Sequence, residues 1–130
     1  DLVDFVSIGT NDLVQYLLAA DRGNDALQDL HSPLHPAVLQ LLQQVISTAR
    51  AHGRPAAVCG EMAGDPLLTP LLLALGLEEF SVHPGTLLEV RRELRAHDLG
   101  ALRARAPALL RARDRAGIQR WLEAAAAAAG

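Results

Sequence analysis

Cys59 is the only cysteine in the chain, and it ends the short apolar run Ala57-Val58 before Gly60-Glu61-Met62-Ala63-Gly64-Asp65. An apolar strand that ends in a reactive side chain, followed by glycine and a helix start, is how α/β enzymes set functional groups at the carboxyl edge of a sheet. The same layout occurs earlier, in Phe5-Val6-Ser7-Ile8-Gly9-Thr10-Asn11-Asp12-Leu13, where an amide and a carboxylate occupy the exposed places. A thiol with an ordinary pKa of about 8.5 is mostly protonated at neutral pH, so it can give a proton to a carbon base or act as a nucleophilic thiolate. It can equally be a small buried hydrophobe.

The other candidate groups carry similar alternatives. Asp12 could bind Mg²⁺, which takes oxygen ligands and leaves positions for substrate phosphate, or could cap a helix. Asn11 could donate its amide to a phosphate or steady a turn. Arg22 has the planar fork that grips phosphate or carboxylate, and Asp21 or Asp25 could occupy it instead. Glu61 and Asp65 read as cap or supporting residues. His83 follows the third strand-like run and so faces the same rim, whereas His31, His35, His52 and His97 show no metal-ligand spacing.

These residues must be positioned by three β-then-α units. Leu2 to Ile8, Pro55 to Val58 and Glu79 to Val82 read as strands. Helices are predicted from Leu13 to Ala20, from Pro36 to Ala51, from Leu67 to Leu75 and from Leu87 to about Ala96. Two Ala/Arg-rich helices, Leu99 to Leu110 and Asp114 to Ala129, follow, with breaks expected near Pro107 and Arg113. Alternating strands and helices imply parallel pairing. An eight-fold barrel needs about 250 residues, and this chain has 130. The expected fold is therefore α/β: the last three units of a (β/α)8 (TIM) barrel over residues 1–97, with a helical extension over 98–130.

Composition narrows the class. Residues 1–90 carry a net charge of −8 and residues 91–130 a net of +5, within an overall −3. The tail arginines are interleaved with Ala and Leu at helical spacing, which reads as solvated helix faces and not as a nucleic-acid or lipid surface. One cysteine fits a reducing compartment, and no signal-peptide pattern or membrane-length apolar run is present, so a cytoplasmic, soluble protein is expected. Met62 is the only methionine, and the first residues already read as a strand. The chain is expected to be a fragment of something longer.

Taken together, Ser7-Ile8-Gly9-Thr10-Asn11-Asp12-Leu13, Ala20-Asp21-Arg22-Gly23-Asn24 and Cys59-Gly60-Glu61-Met62-Ala63-Gly64-Asp65 resemble the phosphoenolpyruvate-utilising enzymes. The second motif and Met62-Ala63-Gly64-Asp65 are most similar to the Enzyme I branch of the bacterial sugar phosphotransferase system. The resemblance covers about residues 1–96. It implies a phosphoenolpyruvate-binding barrel that also forms a homodimer interface, with Asp12 as a Mg²⁺ ligand and Asn11 and Asp12 as substrate contacts. It further implies Arg22 as a substrate-binding arginine and Cys59 as the acid that protonates the enolate to pyruvate. The phosphoryl group would pass through an enzyme histidine to the histidine-containing phosphocarrier protein. That histidine, further substrate arginines and a second metal-ligating carboxylate would lie upstream, so the isolated chain is expected to be inactive. The alternatives are the sister branches, pyruvate phosphate dikinase and phosphoenolpyruvate synthase, or a non-catalytic remnant serving dimerisation or regulation. His83-Pro84 departs from the smaller residue expected at that rim.

Overall fold

The computed structural model describes residues 2–21, 23–27 and 30–129. Three strands, β1 (Val6–Gly9), β2 (Ala56–Cys59) and β3 (Glu79–Phe80), form one parallel sheet in the order β1-β2-β3. The register pairs Ile8 with Val58 and Gly9 with Cys59, and Val58 in turn with Phe80. Strands β1 and β3 are shorter than the sequence predicts, and β2 is shifted one residue onward to include Cys59, because pairing sets their ends. Pro55 has no N–H to donate, so β1 is engaged only from Val6, whose amide donates to the Pro55 carbonyl at 2.9 Å. Leu2, Val3 and Phe5 stay exposed.

Side chains alternate across each strand, and the two faces of the sheet differ accordingly. Ile8 and Val58 are buried, with Phe80 packed against them, beneath the helices. The opposite face carries Ser7, Gly9 and Glu79, all exposed, with Ala57 and Cys59 half-buried.

The helices are α1 (Thr10–Leu18), α2 (Pro36–Ala51), α3 (Glu61–Gly64), α4 (Thr69–Ala74), α5 (Leu87–Ala96), α6 (Leu99–Leu110) and α7 (Arg115–Ala127). Helix α1 begins three residues before the expected Leu13, because Gly9 makes the turn out of the strand and no side chain caps the helix. Helix α2 starts at Pro36 with His35 Nδ1 accepting the Ala37 amide, and buries Val38, Leu39, Leu42, Ile46 and Ala49 on one stripe. The helix expected from Leu67 to Leu75 is instead a 3₁₀ turn, Pro66–Leu68, followed by α4; Asp65 Oδ1 caps the turn by accepting the Leu67 amide at 2.9 Å.

Every residue of α4 is buried, as befits a helix that is apolar on all sides apart from Thr69 in its first turn. Helices α5, α6 and α7 cover it. Leu102, Leu109, Ile118, Trp121, Leu122 and Ala125 of α6 and α7 join the same core as Ile8 and Val58. Each fully buried leucine or isoleucine contributes about 1.5–3 kcal/mol relative to exposure. The tail helices are thus part of the core that supports the sheet. Helix α6 runs on through Pro107, and the break falls at 111–114, where Asp114 Oδ1 accepts the Gly117 amide at 2.7 Å and opens α7. Trp121 joins the two helices: its Nε1–H donates to the Arg105 carbonyl at 3.1 Å, and the Arg105 guanidinium lies 5.3 Å from the ring centroid. Among the described residues no helix is long and apolar enough to cross a membrane.

Candidate active site at the carboxyl edge of the sheet

Parallel strands end at one edge, so the turns after β1 and β2 meet there. Three hydrogen bonds join them. Thr10, fully buried at the start of α1, donates its hydroxyl to the Cys59 carbonyl at 2.8 Å. Cys59 Sγ donates in the other direction, to the Ile8 carbonyl at 3.6 Å. Asn11 Oδ1 accepts the Glu61 amide at 3.0 Å, satisfying the first N–H of α3.

Gly60 makes this contact possible. Its φ of +92° and ψ of −168° lie in a region that residues with a Cβ rarely enter. A Cβ built there would stand 2.9 Å from both Asn11 Oδ1 and Thr10 Oγ1. The turn after β2 therefore lies flat against the first turn of α1.

Three of the expected site residues, Asn11, Asp12 and Cys59, lie within the described residues. Asn11 is half-buried, and the Glu61 N–H fixes which end of its amide faces the turn. Its NH₂ group remains without a protein partner among the described residues, leaving two donors for a ligand. Asp12 sits on the exposed side of the first turn of α1, not at the cap position that the sequence also allowed. Its carboxylate makes no hydrogen bond or ion pair among the described residues. Such a group fits one ligand position of a Mg²⁺ ion, which is typically held by one or two carboxylates together with substrate phosphate. Among the described residues no set of three or more His, Cys, Asp or Glu side chains is arranged to hold a metal by itself. Cys59 is half-buried and is neither sealed beneath aliphatic groups nor paired with another sulfur. Arg22 lies outside the described residues.

A cleft of about 500 Å³ opens at this edge, lined by Asn11, Gly60, Glu61, Gly64, Asp65, Ser81, His83 and Thr86. It brings Asn11 and His83 to one cavity, whereas Asp12 and Cys59 are not among its walls. His83 caps the turn after β3, its Nδ1 accepting the Gly85 amide at 3.1 Å. In the neutral ring the proton then resides on Nε2, which is left as a donor. Thr10 was missed at the sequence level. A β-branched hydroxyl directly after a strand is the signal, but only the sheet register reveals that its acceptor lies 49 residues away.

The opposite edge of the sheet has a structural character. Arg50 and Arg103 converge on Glu78 Oε1 at 2.7 and 3.3 Å, linking α2 and α6 to the segment before β3. These groups are exposed, and such pairs contribute about 0–1 kcal/mol.

Residues 1–99 match the family described as PEP-utilising enzyme, PEP-binding domain. Curated relatives share this region. A phosphoenolpyruvate-protein phosphotransferase of Cupriavidus necator is 60% identical over 96 residues, covering 73% of this chain and 16% of the relative. Proteins of the same name from Geobacillus stearothermophilus and Staphylococcus carnosus are 52% and 51% identical over 93 and 94 residues, each covering 72% of this chain and 16% of the relative. The chain thus spans about a sixth of the length of the curated relatives it matches.

Proposed function

The chain belongs to the phosphoenolpyruvate-utilising enzyme family, and from that premise we propose that it forms the closing part of the phosphoenolpyruvate barrel of a phosphoenolpyruvate–protein phosphotransferase. In this reading the three β/α units over residues 1–97 are the last three of a (β/α)8 barrel, and residues 98–130 are its helical extension. The outer edges of β1 and β3, which pair with no strand among the described residues, and a sheet face of small and polar residues opposite the helix-covered one, support that architecture.

The observation that carries the chemical reading is the joining of the Asn11 and Cys59 turns at one strand edge. Phosphoryl transfer depends on charge neutralisation and positioning more than on covalent help from the protein. Asn11 would offer its two amide donors to the anionic substrate, and Arg22 its guanidinium. Asp12 would provide a carboxylate to a bound Mg²⁺, whose contribution is neutralisation of phosphate charge. As the bond from phosphorus to the enol oxygen breaks, a new bond forms to a histidine nitrogen elsewhere in the enzyme, and pyruvate enolate remains. The Cys59 S–H proton then moves to the enolate methylene carbon, giving pyruvate, and solvent returns a proton to sulfur. The phosphoryl group passes from the enzyme histidine to the histidine-containing phosphocarrier protein. Function as a cytoplasmic homodimer belongs to the same proposal.

The test uses the full-length polypeptide that carries this chain. With Cys59→Ala, phosphorylation of the enzyme histidine by phosphoenolpyruvate and Mg²⁺ should persist, while pyruvate release falls by about 10²–10⁴-fold, the usual contribution of a general acid. Pyruvate formation at the wild-type rate removes Cys59 from the chemistry. Phosphate delivered to a nucleotide in place of a small carrier protein assigns the chain to the dikinase or synthase branch.

A further inference from the structure

We propose that Thr10 is a positioning residue for the Cys59 thiol. The proposal rests on the reading of Cys59 as the proton donor, and it adds a residue that touches neither substrate nor metal. Thr10 is fully buried at the junction of β1 and α1, yet its hydroxyl is not used within its own helix. It reaches across the sheet to the Cys59 carbonyl at 2.8 Å, while the Cys59 thiol reaches back to the Ile8 carbonyl at 3.6 Å. Both bonds converge on Cys59, from Ile8 and Thr10, the two residues that flank its register partner Gly9.

This pairing restricts the cysteine at two points. The carbonyl fixes the peptide that follows Cα, and the thiol hydrogen bond fixes the side chain. A short, parallel sheet end is otherwise the part of a strand most prone to fray. The left-handed Gly60 comes next, and its freedom would let the turn swing if the Cys59 carbonyl were released. Thr10 Oγ1 lies within 2.9 Å of where a Gly60 Cβ would stand, so it also packs the turn from beneath. The hydroxyl thus sets where the sulfur sits relative to Asn11, whose own oxygen holds the next amide along.

Alkylation of the single cysteine by iodoacetamide reads the thiol's restraint without any need for phosphoenolpyruvate. In Thr10→Val the Cys59 carbonyl loses the hydroxyl donor, and the thiol should be alkylated about fivefold faster, the equivalent of one hydrogen bond worth about 1 kcal/mol. Thr10→Ser retains the hydroxyl and should stay near the wild-type rate. Ile118→Val in α7, compared at temperatures equally far below its own melting point, controls for general loosening and should also stay near it. The proposal is overturned if Thr10→Val reacts at the wild-type rate, if Thr10→Ser reacts as fast as Thr10→Val, or if Ile118→Val is accelerated equally.

Should Thr10→Val not fold, the wild-type chain supplies the decision through NMR. The Thr10 hydroxyl proton should exchange slowly and show coupling to the Cys59 carbonyl carbon, and a rapidly exchanging, uncoupled hydroxyl removes the contact. Failure of the phosphoenolpyruvate reading would appear separately, as absent pyruvate formation by the full-length polypeptide with the alkylation pattern intact.

Discussion

Substituting alanine for Gly60 tests the geometry on which the candidate site depends. Two costs act together. The backbone at φ +92° and ψ −168° is disfavoured for any residue with a Cβ by about 1–3 kcal/mol. The new methyl would also stand 2.9 Å from Thr10 Oγ1 and Asn11 Oδ1, well inside contact distance, so one or both hydrogen bonds must open. Each is worth about 0.5–1.5 kcal/mol. At the centre of these ranges Gly60→Ala costs about 4 kcal/mol, a large share of the roughly 5–15 kcal/mol that holds a domain folded. For a chain of this size the melting temperature should fall by about 12–20 °C.

Gly53 supplies the comparison. It too has a positive φ, +64°, but a Cβ there meets nothing within 4 Å. Gly53→Ala should therefore cost only the left-handed backbone preference, about 1–2 kcal/mol. Thermal unfolding followed by circular dichroism, together with urea titration, measures both variants. If the two alanines destabilise equally, or if Gly60→Ala melts within about 5 °C of the wild type, the close approach of the two turns is not what holds this edge together.

Two further outcomes are expected. Asn11→Asp keeps the oxygen that accepts the Glu61 amide but removes both amide donors, so the melting temperature should hold while phosphoenolpyruvate affinity in the full-length enzyme drops. A lost hydrogen bond to a charged group is worth about 1.5–3 kcal/mol, or about 10–100-fold in affinity by calorimetry; unchanged affinity would exclude Asn11 as a substrate contact. Ala19 closes α1 in the left-handed conformation at φ +50°, a place glycine takes without strain. Ala19→Gly should stabilise the fold by about 0.5–1 kcal/mol, visible as a higher urea midpoint with an unchanged slope; a lower midpoint would show that the chain-entropy cost of glycine prevails.

The elements with strong periodicity could be read directly from the sequence. Helix α2 has its observed bounds because the apolar stripe from Val38 to Ala49 begins at Pro36 and ends before His52-Gly53. Helix α6 likewise spans Leu99 to Leu110, although Pro107 suggested a break. A proline in a helix removes one N–H, and burial of Leu102 and Leu109 against α4 outweighs that local loss. Strands β1 and β3 are shorter than expected, and β2 is shifted by one residue, because strand ends depend on partners distant in sequence, which β propensity does not encode. Asn11, Asp12 and Cys59 could be singled out by type and position, and the meeting of the Asn11 and Cys59 turns follows from parallel strands. What no local pattern could give is the bonding across that edge: that Asn11 spends its oxygen on Glu61, or that Thr10 and not Asp12 makes the buried connection.

The Asn11–Glu61 contact gives this fold a built-in reporter. One identifiable backbone proton, the Glu61 amide, is held by the same side chain whose other end is available to an anion. Any molecule that pulls on the Asn11 NH₂ must lengthen or shorten that bond, and the amide's chemical shift and deuterium uptake will register it. Titrating small anions against a single ¹⁵N resonance would thus reveal occupancy at the strand edge before any turnover is measured.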